Sequence, residues 1–162
     1  MKKDISSKIL NGIVLVGIVL TLLLLAIIPL GLTATFKSGF GVVGSDMPMI
    51  ISIGIYICAV PYVYALVQLK KLCALVATKE PFSRNIPVYL KRISICAFSE
   101  ILIFNTIVFI SCYYFDMYMY ALTVMSVVII SFVSLAIGFL SMVLGKLFDM
   151  AIEIKEENDK TI

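Results

Sequence analysis

Four stretches, residues 9–32, 48–67, 93–114 and 119–147, are almost wholly apolar, and each is about as long as a helix that crosses a bilayer. Lipid offers the backbone no hydrogen-bonding partner, so each stretch has to satisfy its own N–H and C=O groups. The expected fold class is therefore all-α: an integral-membrane four-helix bundle, one domain over residues 1–162 with the lipid bilayer as its first partner. Composition agrees, because 62% hydrophobic and 14% charged residues lie well away from the roughly 45–50% and 25% of soluble domains.

The polar interval at 68–92 sets the expected orientation. It carries Lys70, Lys71, Lys79, Arg84, Lys91 and Arg92 against the single acid Glu80, and a short loop so basic belongs on the cytoplasmic side. The N-terminal segment, this interval and the C-terminal tail hold twelve of the thirteen Lys and Arg residues, leaving Lys37 for the outer loops. Both termini are thus expected in the cytoplasm, with the chain in the cell membrane as a multi-pass protein. The net charge of +3 follows from that placement, so no direct nucleic-acid binding is read from it.

The first block opens after three lysines and runs longer than the roughly 7–15 apolar residues of a cleaved signal peptide, which favours an uncleaved span. Pro29 and Gly31 are expected in its last turns, and residues 36–47 in an external loop. In the second block Pro48 stands at the opening and Pro61 in the interior, where a kink is expected. Leu66, Leu69, Leu72, Cys73 and Val76 keep an apolar face beyond the block, so helix 2 is expected to project into the cytoplasm and break at Pro81. Ser83 or Asn85 would cap the next helix, with Pro87 in its first turn and Phe82 as a hydrophobic anchor between the two.

The third block holds one ionisable residue, Glu100, with Asn105 and Ser99 as further polar groups. An acid inside a span is a functional candidate by default, for proton relay or cation binding. It lies eight residues after Arg92, about 12 Å along a helix, above the inner interface. A short outer turn at 115–118 makes helices 3 and 4 antiparallel neighbours, flanked by Tyr113, Tyr114, Tyr118 and Tyr120 as an aromatic belt. The fourth block carries Ser131, Ser134, Gly138, Ser141 and Gly145 at spacings of 3,4,3,4. Such a stripe of small residues lets helices approach closely, within the monomer or in a homo-oligomer. Leu144, Leu147, Phe148, Ala151 and Ile152 then continue an apolar face opposite charged residues, so helix 4 is also expected to extend into the cytoplasm as an amphipathic rod. The acidic tail, 148–162, and the basic loop carry opposite charge. The two can touch within one molecule or meet a partner.

Catalytic chemistry is not indicated. The chain has no His, and Cys58, Cys73, Cys96 and Cys112 form no ligand spacing, so neither a metal, a cofactor nor a catalytic residue is expected.

Two stretches carry a resemblance. Lys79-Glu80-Pro81-Phe82-Ser83-Arg84-Asn85-Ile86 followed by Leu90-Lys91-Arg92-Ile93, and the ending from Ala151 to Ile162, resemble the bacterial membrane family called domain of unknown function 2975. The match is to that family's Asn-Pro-Phe-Ser segment with its basic return helix, and to its acidic, Thr-Ile-terminated tail. Glu80 stands where Asn is usual, and Pro87 and Glu100 depart from the pattern. The resemblance implies a four-span protein, often encoded beside a small helix-turn-helix transcription regulator, with no enzymatic activity.

The expected function is that of a non-catalytic regulatory or interaction protein. It would present Pro81, Phe82, Ser83 and Asn85 of the loop, and Glu156, Glu157, Asp159, Thr161 and Ile162 of the tail, to a cytoplasmic partner such as that regulator. The alternative is a small proton- or cation-coupled transporter that uses Glu100, with Asn105 as a second polar group and Pro61 as a hinge. A membrane enzyme ranks last.

Overall fold

The computed structural model describes residues 2–39, 46–77, 83–114 and 121–160. Each described stretch forms one helix: α1 (Lys2–Gly39), α2 (Met47–Ala77), α3 (Asn85–Tyr114) and α4 (Ala121–Lys160). At 1.5 Å per residue the helices run about 45–60 Å, longer than the ~30 Å hydrocarbon core. All four contain windows apolar enough to cross a membrane, with mean hydropathy between 2.1 and 3.1. Leu30, Val60, Leu102, Phe109 and Phe132 are among the large apolar side chains left facing outward. Lipid is the solvent that accepts such a surface, and the chain is a multi-pass membrane protein by helix length and composition.

The helices outrun the apolar blocks, and the ends have local causes. α1 continues past residue 32 because its hydroxyls find partners along the helix: Thr33 Oγ1 donates to the Leu30 carbonyl at 2.9 Å, and Thr35 Oγ1 to the Gly31 and Leu32 carbonyls at 3.0 and 2.9 Å. Phe36 and Lys37 are therefore helical and not part of an external loop. Within the polar interval 68–92, α2 continues to Ala77 along the apolar face that the sequence carries there, and α3 begins at Asn85. Gln68, at the start of that interval, is buried at 1% exposure within α2. The tail is helical through Lys160. The expected break at Pro81, the Phe82 anchor and the outer turn with Tyr118 and Tyr120 lie outside the described residues.

Among the described residues the bundle packs by consecutive pairs, α1 on α2, α2 on α3 and α3 on α4. Each contact has its own device. Pro29 lacks an N–H, which takes the intrahelical donor away from the Leu25 carbonyl. The Tyr56 hydroxyl of α2 supplies one instead, at 3.0 Å. Between α2 and α3 the approach is close at Gly54, where a Cβ would meet Ile107 Cγ2 at 2.8 Å. α3 and α4 run antiparallel along the small-residue stripe: Asn105 donates to Ser131 Oγ at 3.1 Å, Ser94 to the Gly138 carbonyl at 2.8 Å, and Gly145 faces Leu90 Cβ. α3 thus lies between α2 and α4. Its core residues Ile86, Leu90, Ile93 and Cys96 all belong to its first half, so packing is tightest at the end where α3 starts and α4 finishes.

Candidate functional site

Two features carry chemistry. The first is at the tightly packed end, where Ser83 shapes the start of α3. Its carbonyl accepts from the Ile86 N–H at 3.0 Å and its hydroxyl from the Asn85 N–H at 3.4 Å. Pro87 follows as the third helical residue, a position that needs no intrahelical donor.

This turn places Arg84 against the far end of α4. Its Nε donates to Glu156 Oε1 at 2.8 Å and its Nη2 to Oε2 at 2.5 Å, a bidentate, charge-assisted pair. Glu156 reaches that position because the stripe does not stop at Gly145. Phe148, the buried Ile152 and Glu156 extend it along the same side of α4, whereas Leu147 turns away and is 51% exposed. The hydrogen bond from Arg84 holds the Glu156 carboxyl below the usual carboxylate range, and the same contact holds the guanidinium further up. Both partners are water-exposed, Arg84 at 78% and Glu156 at 39%, so the pair fixes orientation more than it adds stability. Asp159 is exposed on the last turn of α4, and Asn85 on the first of α3. Pro81, Phe82, Thr161 and Ile162 lie outside the described residues.

The second feature is a trough on the face of α3 between α2 and α4. It has two lobes. One, about 480 Å³, is lined by Ile51, Ile55 and Cys58 of α2, Phe104 and Val108 of α3, and Ile130 of α4. The other, about 430 Å³, is lined by Pro61, Tyr62 and Leu69 of α2, Ile93 of α3, and Ser134 and Ile137 of α4. Glu100 lines both. Its Oε2 is buried without a hydrogen-bond partner among the described residues, so this oxygen does not reach the described basic side chains towards the start of α3. A lone carboxyl in an apolar wall calls for a proton or a cation from outside the chain.

Glu100 and Asn105 are not brought together. Five residues turn a helix by about 140°, and Asn105 lies on the α4 side, donating to Ile101 O at 2.8 Å and to Ser131 Oγ at 3.1 Å. The stripe divides too: Gly138, Ser141 and Gly145 are buried, while Ser134 borders the trough. Periodicity alone did not mark Tyr56, Gln68 or Phe98. Tyr56 answers a proline on another helix, Gln68 keeps a buried Oε1 without a partner among the described residues, and the Phe98 ring fills the space above Gly138. Pro29 within α1 was the sequence signal that pointed to the acceptor Tyr56 serves.

A family model described as Protein of unknown function (DUF2975) matches residues 43–162, which takes in α2, α3, α4, the trough and the Arg84–Glu156 pair. Comparison with curated proteins and with solved structures gives no match.

Proposed function

The chain belongs to the DUF2975 family of proteins of unknown function, and from that premise we propose that it is a non-catalytic membrane protein that presents a composite surface to a partner protein. The surface is the start of α3 together with the end of α4, on the cytoplasmic side of the cell membrane, and the partner is a small helix-turn-helix transcription regulator. One observation supports this reading: Arg84 and Glu156, 72 positions apart, join the two stretches that carry the family's motifs by a bidentate pair. A loop and a tail held in register form a stable epitope, with less ordering left to do on binding. The excess of basic residues in the loop supports an inside position for this end. The reading is non-catalytic because the chain has no His and a single acid, Glu100, within its apolar blocks.

The test is co-purification of the full chain with such a regulator, comparing the parent with a Glu153→Lys, Asp159→Lys variant. Both residues are exposed on the last turns of α4 and outside the Arg84 pair. Loss of most of the regulator is the expected result, and equal recovery would count against the reading.

A second reading, a small proton- or cation-coupled transporter, is favoured by the partnerless Oε2 of Glu100 between the two lobes. Glu100→Gln should abolish proton-coupled flux in liposomes. Flux equal to the parent would remove it.

A further inference from the structure

The trough has the size of a ligand site: its lobes of about 480 and 430 Å³ fall within the ~300–1,000 Å³ usual for small-molecule pockets. Its chemistry is asymmetric. The walls are mostly apolar, with small hydroxyls at Ser111, Thr123, Ser134 and Ser141, and Glu100 is the one charged residue among the linings of both lobes. Lipid chains alone would suit the walls but not the carboxyl.

From this we infer that the trough binds an amphipathic organic cation, with its ammonium at Glu100 and its apolar body in one of the two lobes. Three observations select this occupant. The acid stands where the lobes meet, so a charge placed there leaves apolar space on either side. Its Oε2 has no donor among the described residues, so a cation meets an acceptor that no described side chain already uses. An inorganic ion is a poor fit, since hard cations take about six or more oxygens, and no cluster of three or more metal-ligating side chains occurs among the described residues. An alkylammonium needs one carboxylate and gains its remaining affinity from apolar burial. Pro61 and Tyr62 border the lobe towards the start of α3, and the open side between α2 and α4 gives a ligand dissolved in lipid a lateral way in.

The inference shares its site with the transport reading but not its premise, because occupancy at equilibrium needs no gradient and no flux. It also stands apart from partner binding at the Arg84–Glu156 end.

The experiment is calorimetric titration of the full chain in zwitterionic lipid nanodiscs with hexyltrimethylammonium, against empty nanodiscs as blank and hexanol as the uncharged comparison. The parent is expected to bind one cation per chain. Removal of one member of a desolvated charge pair is costly, so Glu100→Gln, nearly isosteric, should weaken binding by about tenfold or more. Glu100→Asp should recover part of the loss. Leu102→Phe on the lipid-facing side is expected to leave binding unchanged. Equal affinity in the parent and Glu100→Gln overturns the inference. So does hexanol binding as tightly as the cation, which would make the occupant a lipid chain, or displacement of the cation by millimolar sodium, which would make it an inorganic ion.

Discussion

Replacing Gly138 with Leu tests the packing that aligns α3 with α4. A Cβ at this position would lie 3.1–3.2 Å from three atoms of the Phe98 ring, inside the roughly 3.5–4.0 Å optimum for carbon–carbon contact. The ring cannot simply tilt away, because Phe139 meets it edge-on at 5.5 Å and 89°. Three further carbons must therefore push the helices apart, and the Ser94 bond to the Gly138 carbonyl, 2.8 Å and buried, stretches with them. Overpacking of this kind costs about 1–3 kcal/mol, and an interhelical hydrogen bond in lipid contributes about 0.6–1.7 kcal/mol. Better helix propensity returns at most about 1 kcal/mol. The net expectation is a loss of about 2–3 kcal/mol, in the upper part of the sum because Leu adds four carbons where none fit. The assay is reversible unfolding of the purified chain in mixed micelles titrated with SDS, followed by far-ultraviolet circular dichroism. Gly31→Leu is the control, since nothing lies within 4 Å of a Cβ there. Were Gly138→Leu to unfold at the parent's midpoint, or no earlier than Gly31→Leu, the close α3–α4 seam would be refuted.

Two other contacts make separate predictions. Tyr56→Phe should cost about 1 kcal/mol in the same unfolding assay, and that cost should shrink in a Pro29→Ala background, where a backbone N–H is restored at this position and can again serve the Leu25 carbonyl; an undiminished cost would mean that the bond does not answer the proline. At the Arg84–Glu156 pair the sign follows from the carboxyl. A carboxyl whose folded value is depressed contributes above its unfolded value of about 4.3 and loses that contribution as pH falls through the folded value. The guanidinium stays charged throughout, its raised value lying above any working pH. Spin labels at Asn85 and Lys160 should therefore keep one short distance near neutrality and broaden below about pH 4, and also in molar salt, which shortens the screening length to about 3 Å. A distance unchanged under both conditions would mean that the pair does not hold the tail.

Much of this architecture was legible in the residue pattern, and the misses share a cause. Apolar length gave four helices, and Ser83, Asn85 and Pro87 marked where α3 starts, because helix initiation is decided by local groups. The small residues at spacings of 3 and 4 marked the side of α4 that meets α3. Helix ends were less legible: hydroxyls at Thr33 and Thr35 bond back to carbonyls one turn earlier, so α1 outlasts its apolar block. Leu147 fitted a helical repeat but stands outside the buried seam, since a repeat identifies a face only after the neighbouring helix is placed. The same limit applies to Glu100. Its charge was visible at once, but its position between two lobes depends on α2 and α4 leaving a gap over α3, which no local pattern encodes.

The central claim is that the beginning of α3 and the end of α4 act as one surface, and charge exchange across the Arg84–Glu156 pair tests it most directly. The full chain would be compared with Arg84→Glu, Glu156→Arg and the double exchange, reading co-purification of the helix-turn-helix regulator for all four. The account predicts that each single reversal lowers recovery by placing like charges together, and that the double exchange restores it. Equal recovery from all four chains, or a double exchange no better than the singles, would contradict it.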